Sequence, residues 1–442
     1  LPWIFRKKTN GSIPFYIRWL FVPFLLGSQL YNFYARKYDK VPAIQKIDPQ
    51  LFLACRLFPS DIPTLQKAGV SAILDVTAEF DGLDWTAENE QLDYFNLPVL
   101  DHKSPKSEEL LKAIYWLENH ITHTHGVVIH CALGRGRSVL VMAAYLLSKI
   151  CNQAGLPKGV LNIVHGLGGS TGQAIVEHPN IKAISFTGGT KTGAHIAKVA
   201  APMFKKLSLE LGGKNPNIIF KDCDYEKMLE TTVRSSFANQ GQICLCGSRI
   251  FVEEKIYKKF KKDFVKKVKQ LTVGHPSKPN TDIGALVSKE HLEKIESYVE
   301  ISENEGGKIL CGGLEVTVPD FENGYYFQPT VIEVTDNSCT INQEEVFGPI
   351  VTIMSFKTDE EALQLANDTK YGLSSTLWTN NLNRTMQFSK QLHTGIVWVN
   401  TWMMRDLRTP FGGQKNSGVG REGGFEALRF FTEPKNICIQ YE

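Results

Sequence analysis

Residues 138–154 contain neither Gly nor Pro, are mostly apolar, and run into Gly155 and Pro157. Such a stretch predicts one uninterrupted helix with a glycine stop, because Gly accepts the left-handed conformation at a helix end and Pro cannot continue the helix. No other stretch constrains the chain more, since the patterns on its two sides call for different chemistry. Upstream stand Cys131, five further residues, Arg137 and Ser138; downstream runs Val160-Leu161-Asn162-Ile163-Val164-His165-Gly166. Two catalytic apparatuses are therefore expected, joined inside a helix near residue 150.

At 442 residues the chain is long enough for two or more cores. Hydrophobic content of 43% and charged content of 21% exclude disorder as the default. A net charge of +3 is too small to argue for a nucleic-acid partner, and none is expected. The nine cysteines are odd in number and lack metal-ligand spacing. Free thiols in a reducing, cytoplasmic setting follow, with no metal. The chain begins at Leu1 rather than Met, which predicts the N-terminus of a fragment.

Residues 13–35 are rich in apolar and aromatic side chains and are flanked by Arg6, Lys7 and Lys8 before and Arg36 and Lys37 after. A membrane span needs about 20 apolar residues, and Pro14, Arg18, Pro23 and Gln29 interrupt this run. Membrane association through an interfacial anchor is expected in preference to a true span, with an amphipathic helix packed on the next domain as the alternative.

From 41 to 129 strand and helix patterns alternate. Leu51–Ala54, Ala72–Val76 and Gly126–His130 read as strands, and Ile62–Lys67 and Ser107–Ile121 as helices. A Cys-x5-Arg loop between a strand and a helix has a clear chemical sense. Backbone N–H groups of 132–137 can face inward as an anion nest at the N-terminus of the following helix. That field favours the Cys131 thiolate. Arg137 offers a bidentate grip on phosphoryl oxygens, and Ser138 can help expel the thiolate afterwards. Asp101, about thirty residues before Cys131, suits the acid that protonates a leaving group; Asp75, Asp81 and Asp84 are competing loop candidates.

On these residues, 40–149 resembles the cysteine-dependent dual-specificity phosphatases, and the preceding apolar segment looks like their bacterial membrane-anchored members. The resemblance implies nucleophile, phosphate clamp and general acid at Cys131, Arg137 and Asp101, with a phosphoprotein or phospholipid as substrate and no cofactor. Arg135 adds a second cation, read either as a solvated surface charge or as a contact to a highly anionic headgroup.

Past the helix, 160–164 reads as a strand, Gly166–Gly172 as a turn leading to a helix, and Ile181–Phe186 as a strand. Thr187-Gly188-Gly189-Thr190-Lys191-Thr192-Gly193 then opens another helix. Downstream come Leu209-Glu210-Leu211-Gly212-Gly213-Lys214-Asn215-Pro216, Phe237-Ala238-Asn239-Gln240-Gly241-Gln242-Ile243-Cys244, Glu345-Val346-Phe347-Gly348-Pro349, Tyr371-Gly372-Leu373-Ser374 and Pro410-Phe411-Gly412-Gly413 through Gly418. With these five motifs in this order, residues 151–442 resemble the aldehyde dehydrogenases. The resemblance implies NAD as cofactor and a small aldehyde as substrate. Cys244 would attack the carbonyl and Glu210 would activate the water that hydrolyses the thioester. It further implies that Glu345 holds the nicotinamide ribose, Phe347 packs by the ring, and Gly188, Gly193 and Leu211 border the cofactor. Thr401 to Arg408 looks like the muconic-semialdehyde branch, in which the residue at Arg405 binds a substrate carboxylate. Ile437–Gln440 looks like a terminal strand that pairs with a neighbouring subunit in a homo-oligomer.

Both patterns look incomplete. The phosphatase pattern ends at its first helix after Ser138, and the dehydrogenase pattern starts part-way into its cofactor domain. Without the first cofactor strands and an oxyanion donor, worth ~10²–10³ in rate, NAD turnover is expected to be poor, and uncovered sheet edges invite aggregation. Three organisations stand open: a functional fusion, a working phosphatase with a silent dehydrogenase remnant, or an accidental joining in which neither half acts. The expected fold class is α/β throughout. An anchor segment (1–38) would precede a small phosphatase-type domain (39–150), a partial doubly wound cofactor domain (151–211), a catalytic domain (212–410) and a C-terminal return (411–442).

Overall fold

The computed structural model describes residues 43–78, 92–98, 107–121, 126–131, 137–164, 166–319 and 321–441. The chain divides into two compact units, 1–175 and 176–442. The apolar segment 13–35 lies outside the described residues; among those described, no helix is long and apolar enough to cross a membrane.

The first unit is built on a five-stranded sheet in the order Ile44–Asp48, Leu51–Ala54, Gly126–His130, Val70–Asp75, Asp93–Asn96. All neighbours are parallel except the first pair, an antiparallel hairpin. Its middle strands read as continuous apolar runs because both faces are covered. Leu51, Leu53, Ala72, Leu74, Val127 and Ile129 pack with Ala113 and Leu117 of helix Ser107–His120 and Tyr145 of helix Arg137–Gln153. The alternate residues Phe52, Ala54, Ile73 and Val128 pack with Ile62 and Leu65 of helix Ile62–Lys67. Helix Arg137–Gln153 ends as its sequence predicts. Gly155 is left-handed (φ 79°), its N–H donates to Asn152 O at 3.0 Å, and the Leu156 N–H donates to Cys151 O at 3.0 Å, the paired bonds of a Schellman stop.

The predicted strand at 160–164 does not form. Those residues are mostly exposed and, among the described residues, no strand lies alongside to take up their backbone groups. Apolar, β-branched sequence makes a strand only where a partner exists. Gly168–Gly172 forms a single π-helical turn before the short helix Gln173–Glu177.

Two sheets organise the second unit. The smaller pairs Gly418–Val419 antiparallel with Lys206–Glu210, which in turn pairs in parallel with Ala183–Thr187. Helix Thr190–Ala200 joins the two parallel strands. The larger has seven strands, in the order Lys308–Cys311, Thr330–Glu333, Ile350–Phe356, Gly247–Glu253, Asn215–Ile219, Ser374–Trp378, Ile396–Val399; only the Lys308–Cys311 edge is antiparallel. Helices Tyr225–Phe237 and Glu254–Val268 cover one face, and Asp359–Asn367 and Leu382–Gln391 the other. This is an α/β arrangement with helices on both faces of a mostly parallel sheet. The C-terminal residues 432–441 form no strand within the chain.

Candidate active sites

In the first unit the central strand Gly126–His130 delivers Cys131 at its C-terminal end. Loops at that edge of a parallel sheet collect side chains from several strands. Cys131 is buried, and its N–H donates to the Ala54 carbonyl at 3.4 Å. Arg137 and Ser138 stand in the first turn of helix Arg137–Gln153, where unpaired N–H groups favour an anion. The order strand, cysteine, helix is the one the sequence predicts. Asp101 and Arg135 lie outside the described residues, as do Asp81 and Asp84.

Asp75 is not an open loop acid. It is fully buried at the end of strand Val70–Asp75, and its carboxylate accepts from the Thr77 N–H (2.9 Å), the Thr77 hydroxyl (2.6 Å) and the Tyr94 hydroxyl. The buried His130 ring brings Nε2 within 3.8 Å of an Asp75 oxygen. Nothing in the sequence marked that pairing.

In the second unit Glu210 ends strand Lys206–Glu210 just before the chain crosses from the small sheet to the large one. The Glu210 carbonyl accepts from the Gly188 N–H at 3.0 Å, and the Leu211 N–H donates to Ser417 O at 2.9 Å. Cys244 sits on the loop between helix Tyr225–Phe237 and strand Gly247–Glu253. That loop turns through left-handed Asn239, Gln240 and Gly241, and at Gly241 a side chain would overlap the Gly348 carbonyl. Asn215 Nδ2 donates to Cys244 O (2.7 Å) and Cys246 O (2.9 Å), while Trp402 Nε1 donates to Leu245 O (3.0 Å). Neither anchor was assigned a role from the sequence.

One cavity is lined by Cys244, Cys246, Gly213, Lys214, Glu345 and Phe347, among others. The Glu345 carboxylate accepts from the Gly213 N–H at 3.0 Å, and Lys294 Nζ donates to the Glu345 and Val346 carbonyls. Phe347 holds a left-handed φ of 60°, with its carbonyl 2.7 Å from His291 Nε2. Gly193, one turn into helix Thr190–Ala200, is buried against the Leu211 side chain.

Electrostatics link these groups. Burial, then the neighbouring Glu422, push the Glu210 carboxyl up to about 7, against the pull of Arg421 and Arg405. Burial pushes the Cys244 thiol up to about 11, with the Glu345 and Glu210 carboxylates adding to the effect. Lys214 is almost wholly buried, and desolvation brings it down to about 7. Arg405 is exposed, stacks over the Phe411 ring at 4.0 Å, and has no ion-pair partner among the described residues. All nine cysteines are free thiols.

A family model described as the aldehyde dehydrogenase family matches residues 135–437. The chain belongs to that family. A second model, the dual specificity phosphatase catalytic domain, matches residues 51–154. Its match overlaps the aldehyde dehydrogenase match across helix Arg137–Gln153. The 2-aminomuconic semialdehyde dehydrogenases of Bos taurus and Homo sapiens are each 48% identical over 304 residues, 68% of this chain and 62% of theirs. A 2-hydroxymuconic semialdehyde dehydrogenase of Pseudomonas sp. (strain CF600) is 43% identical over 318 residues, 70% of this chain and 65% of its own. The chain thus spans less than two thirds of the length of these aldehyde dehydrogenases. Among solved structures, a betaine aldehyde dehydrogenase of Staphylococcus aureus in complex with NAD+ is similar at a TM-score of 0.63 and 32% identity, covering 81% of this chain and 64% of that one. HpcC of Thermus thermophilus is similar at a TM-score of 0.65 and 31% identity, covering 94% of this chain and 75% of that one.

Proposed function

We propose that the second unit oxidises an aldehyde of the muconic-semialdehyde type with NAD, through Cys244 as nucleophile and Glu210 as base. The observation that supports this reading is the cavity that Cys244 lines together with Glu345 and Phe347. Cys244 attacks the carbonyl to give a thiohemiacetal. If bound beside Cys244, NAD would supply a hydride acceptor for the thiohemiacetal carbon. Glu210, with its carboxyl near 7, takes a proton from the water that hydrolyses the remaining thioester. Glu345, Phe347, Gly188, Gly193 and Leu211 are the residues that would hold the cofactor. Two features fit such a group: the Glu345 carboxylate is fixed by Gly213, and helix Thr190–Ala200 starts at Gly189 with no side-chain cap, leaving N–H groups for a phosphate. Arg405, a guanidinium without an ion pair among the described residues, suits a substrate carboxylate. NADH formation with a muconic-type semialdehyde, lost on Cys244→Ala, tests the reading; no NADH from folded protein rejects it.

For the first unit we propose a cysteine-dependent phosphatase acting on a phosphoprotein or phospholipid. Strand Gly126–His130, Cys131 and helix Arg137–Gln153 in sequence support it. Asp101 is assigned as general acid and Arg135 as a second contact to an anionic headgroup. Release of phosphate from an aryl phosphate should vanish in Cys131→Ser. Phosphate release without NADH would leave the phosphatase as the working half. Ile437, Ile439 and Tyr441, all strongly exposed, suit pairing with a second copy, which loss of oligomer on deleting 437–442 would test.

A further inference from the structure

Helix Glu254–Val268, continued by Lys269 in helical geometry, carries eight lysines. Three are engaged: Lys259 with Asp263 (3.3 Å), Lys261 with Glu333 (2.6 Å) and Lys267 with Glu230 (3.6 Å). Lys255, Lys258, Lys262, Lys266 and Lys269 are exposed and make no ion pair or hydrogen bond among the described residues. Their spacing of three, four, four and three residues confines them to an arc of about 80° over about 21 Å of helix. The opposite side of the helix, Phe260, Phe264 and Val268, is sunk in the core. The neighbouring carboxylates are thus taken by the flanking lysines, and the outer row is left uncompensated. The whole chain carries a net charge of only +3, so a row of five lysines without an ion pair among the described residues stands out against a nearly balanced background.

We propose that this five-lysine row docks the protein on an anionic membrane surface. The row holds no arginine for bidentate phosphate or base contacts and no aromatic ring for base stacking. It lies on the outer side of a helix whose other side is packed in the core. A plane of anionic headgroups requires neither arginine nor an aromatic ring. Its potential decays within a Debye length, and a straight row of flexible ammonium groups meets it along its full length. With the apolar side of the helix already buried, attachment is electrostatic and salt-reversible.

Sedimentation of the full chain with phosphatidylcholine vesicles containing phosphatidylserine tests this. The comparison variant carries Lys→Gln at all five positions, and a control carries Lys→Gln at the exposed Lys289, Lys308, Lys357, Lys370 and Lys390. The salt-sensitive part of the binding should fall at least about ten-fold in the first variant and less than about two-fold in the control. The proposal fails if the five-fold variant binds as the parent does, if both variants lose binding equally, or if the parent does not prefer anionic to neutral vesicles. Binding of duplex DNA or polyglutamate through the same five lysines, without vesicle binding, also overturns it in favour of that partner.

Discussion

Asn215 Nδ2 donates to the carbonyl of Cys244 at 2.7 Å, and the same amide's oxygen accepts from the Ser374 N–H at 3.0 Å. One side chain at the start of strand Asn215–Ile219 thereby fixes the nucleophile's loop to a neighbouring strand. Asn215→Leu keeps the volume but strands these groups and the Cys246 carbonyl, all in a buried setting. Loss of about 2–4 kcal/mol is expected, read as a lower thermal midpoint, together with faster proteolysis within 238–246. An unchanged midpoint would show that the loop is held by its other contacts.

The thiol at Cys244, pushed up to about 11, should react slowly with iodoacetamide at neutral pH. Labelling of the Cys244 peptide should accelerate about ten-fold per pH unit between pH 7 and 9, because only the thiolate reacts. Glu345→Gln removes one of the carboxylates that disfavour the thiolate and should speed labelling at fixed pH. A rate flat across this range would contradict the assignment.

These two relationships were legible to different degrees. Motifs singled out Cys244 and Glu210 as candidates, while Ile62–Lys67, Gly126–His130 and the Gly155 stop could be read from period and punctuation, because each depends on residues close in sequence. Asn215 sits inside the motif at 209–216, yet its partners lie on elements more than 25 residues away. Arg249 gave no signal at all: fully buried, it donates to the carbonyls of Lys214, Leu365 and Ala366. The error at 160–164 has the same root, since pairing is a property of two strands and the sequence displays one.

Arg249 closes the C-terminal end of helix Asp359–Asn367, where carbonyls lack intrahelical partners. Arg249→Met should cost about 3–5 kcal/mol, since several buried acceptors lose their donor at once. Arg249→Lys should recover part of this. Chemical denaturation of the three proteins checks the order; equal midpoints would assign the capping to Asn337 and Lys415, which also donate there.

Glu210 carries a pH signature. Its folded pKa, about 7, lies above the ordinary 4.5, so between those values the folded state holds a proton that the unfolded state has lost. Its contribution is fully present below pH 4.5 and fades as pH rises through 7, a difference on the order of 3 kcal/mol. Thermal midpoints measured from pH 5 to 8 should fall more steeply for the parent than for Glu210→Gln. Parallel curves would place the carboxyl's pKa back in the ordinary range.

Arg405 offers a test of substrate charge that needs no cofactor. Its guanidinium lies over Phe411 with no carboxylate paired to it among the described residues, and its charge acts on both Glu210 and Cys244. An anionic reagent approaching Cys244 should therefore gain from it, whereas a neutral reagent gains only through the thiol's own ionisation. The ratio of Cys244 labelling by iodoacetate to labelling by iodoacetamide removes the ionisation effect, because both reagents meet the same thiolate. Arg405→Met should lower that ratio about three- to ten-fold at low salt, with the parent's advantage shrinking as salt screens the charge. An unchanged ratio would make Arg405 a surface cation and leave the carboxylate of a muconic-type substrate without its proposed partner.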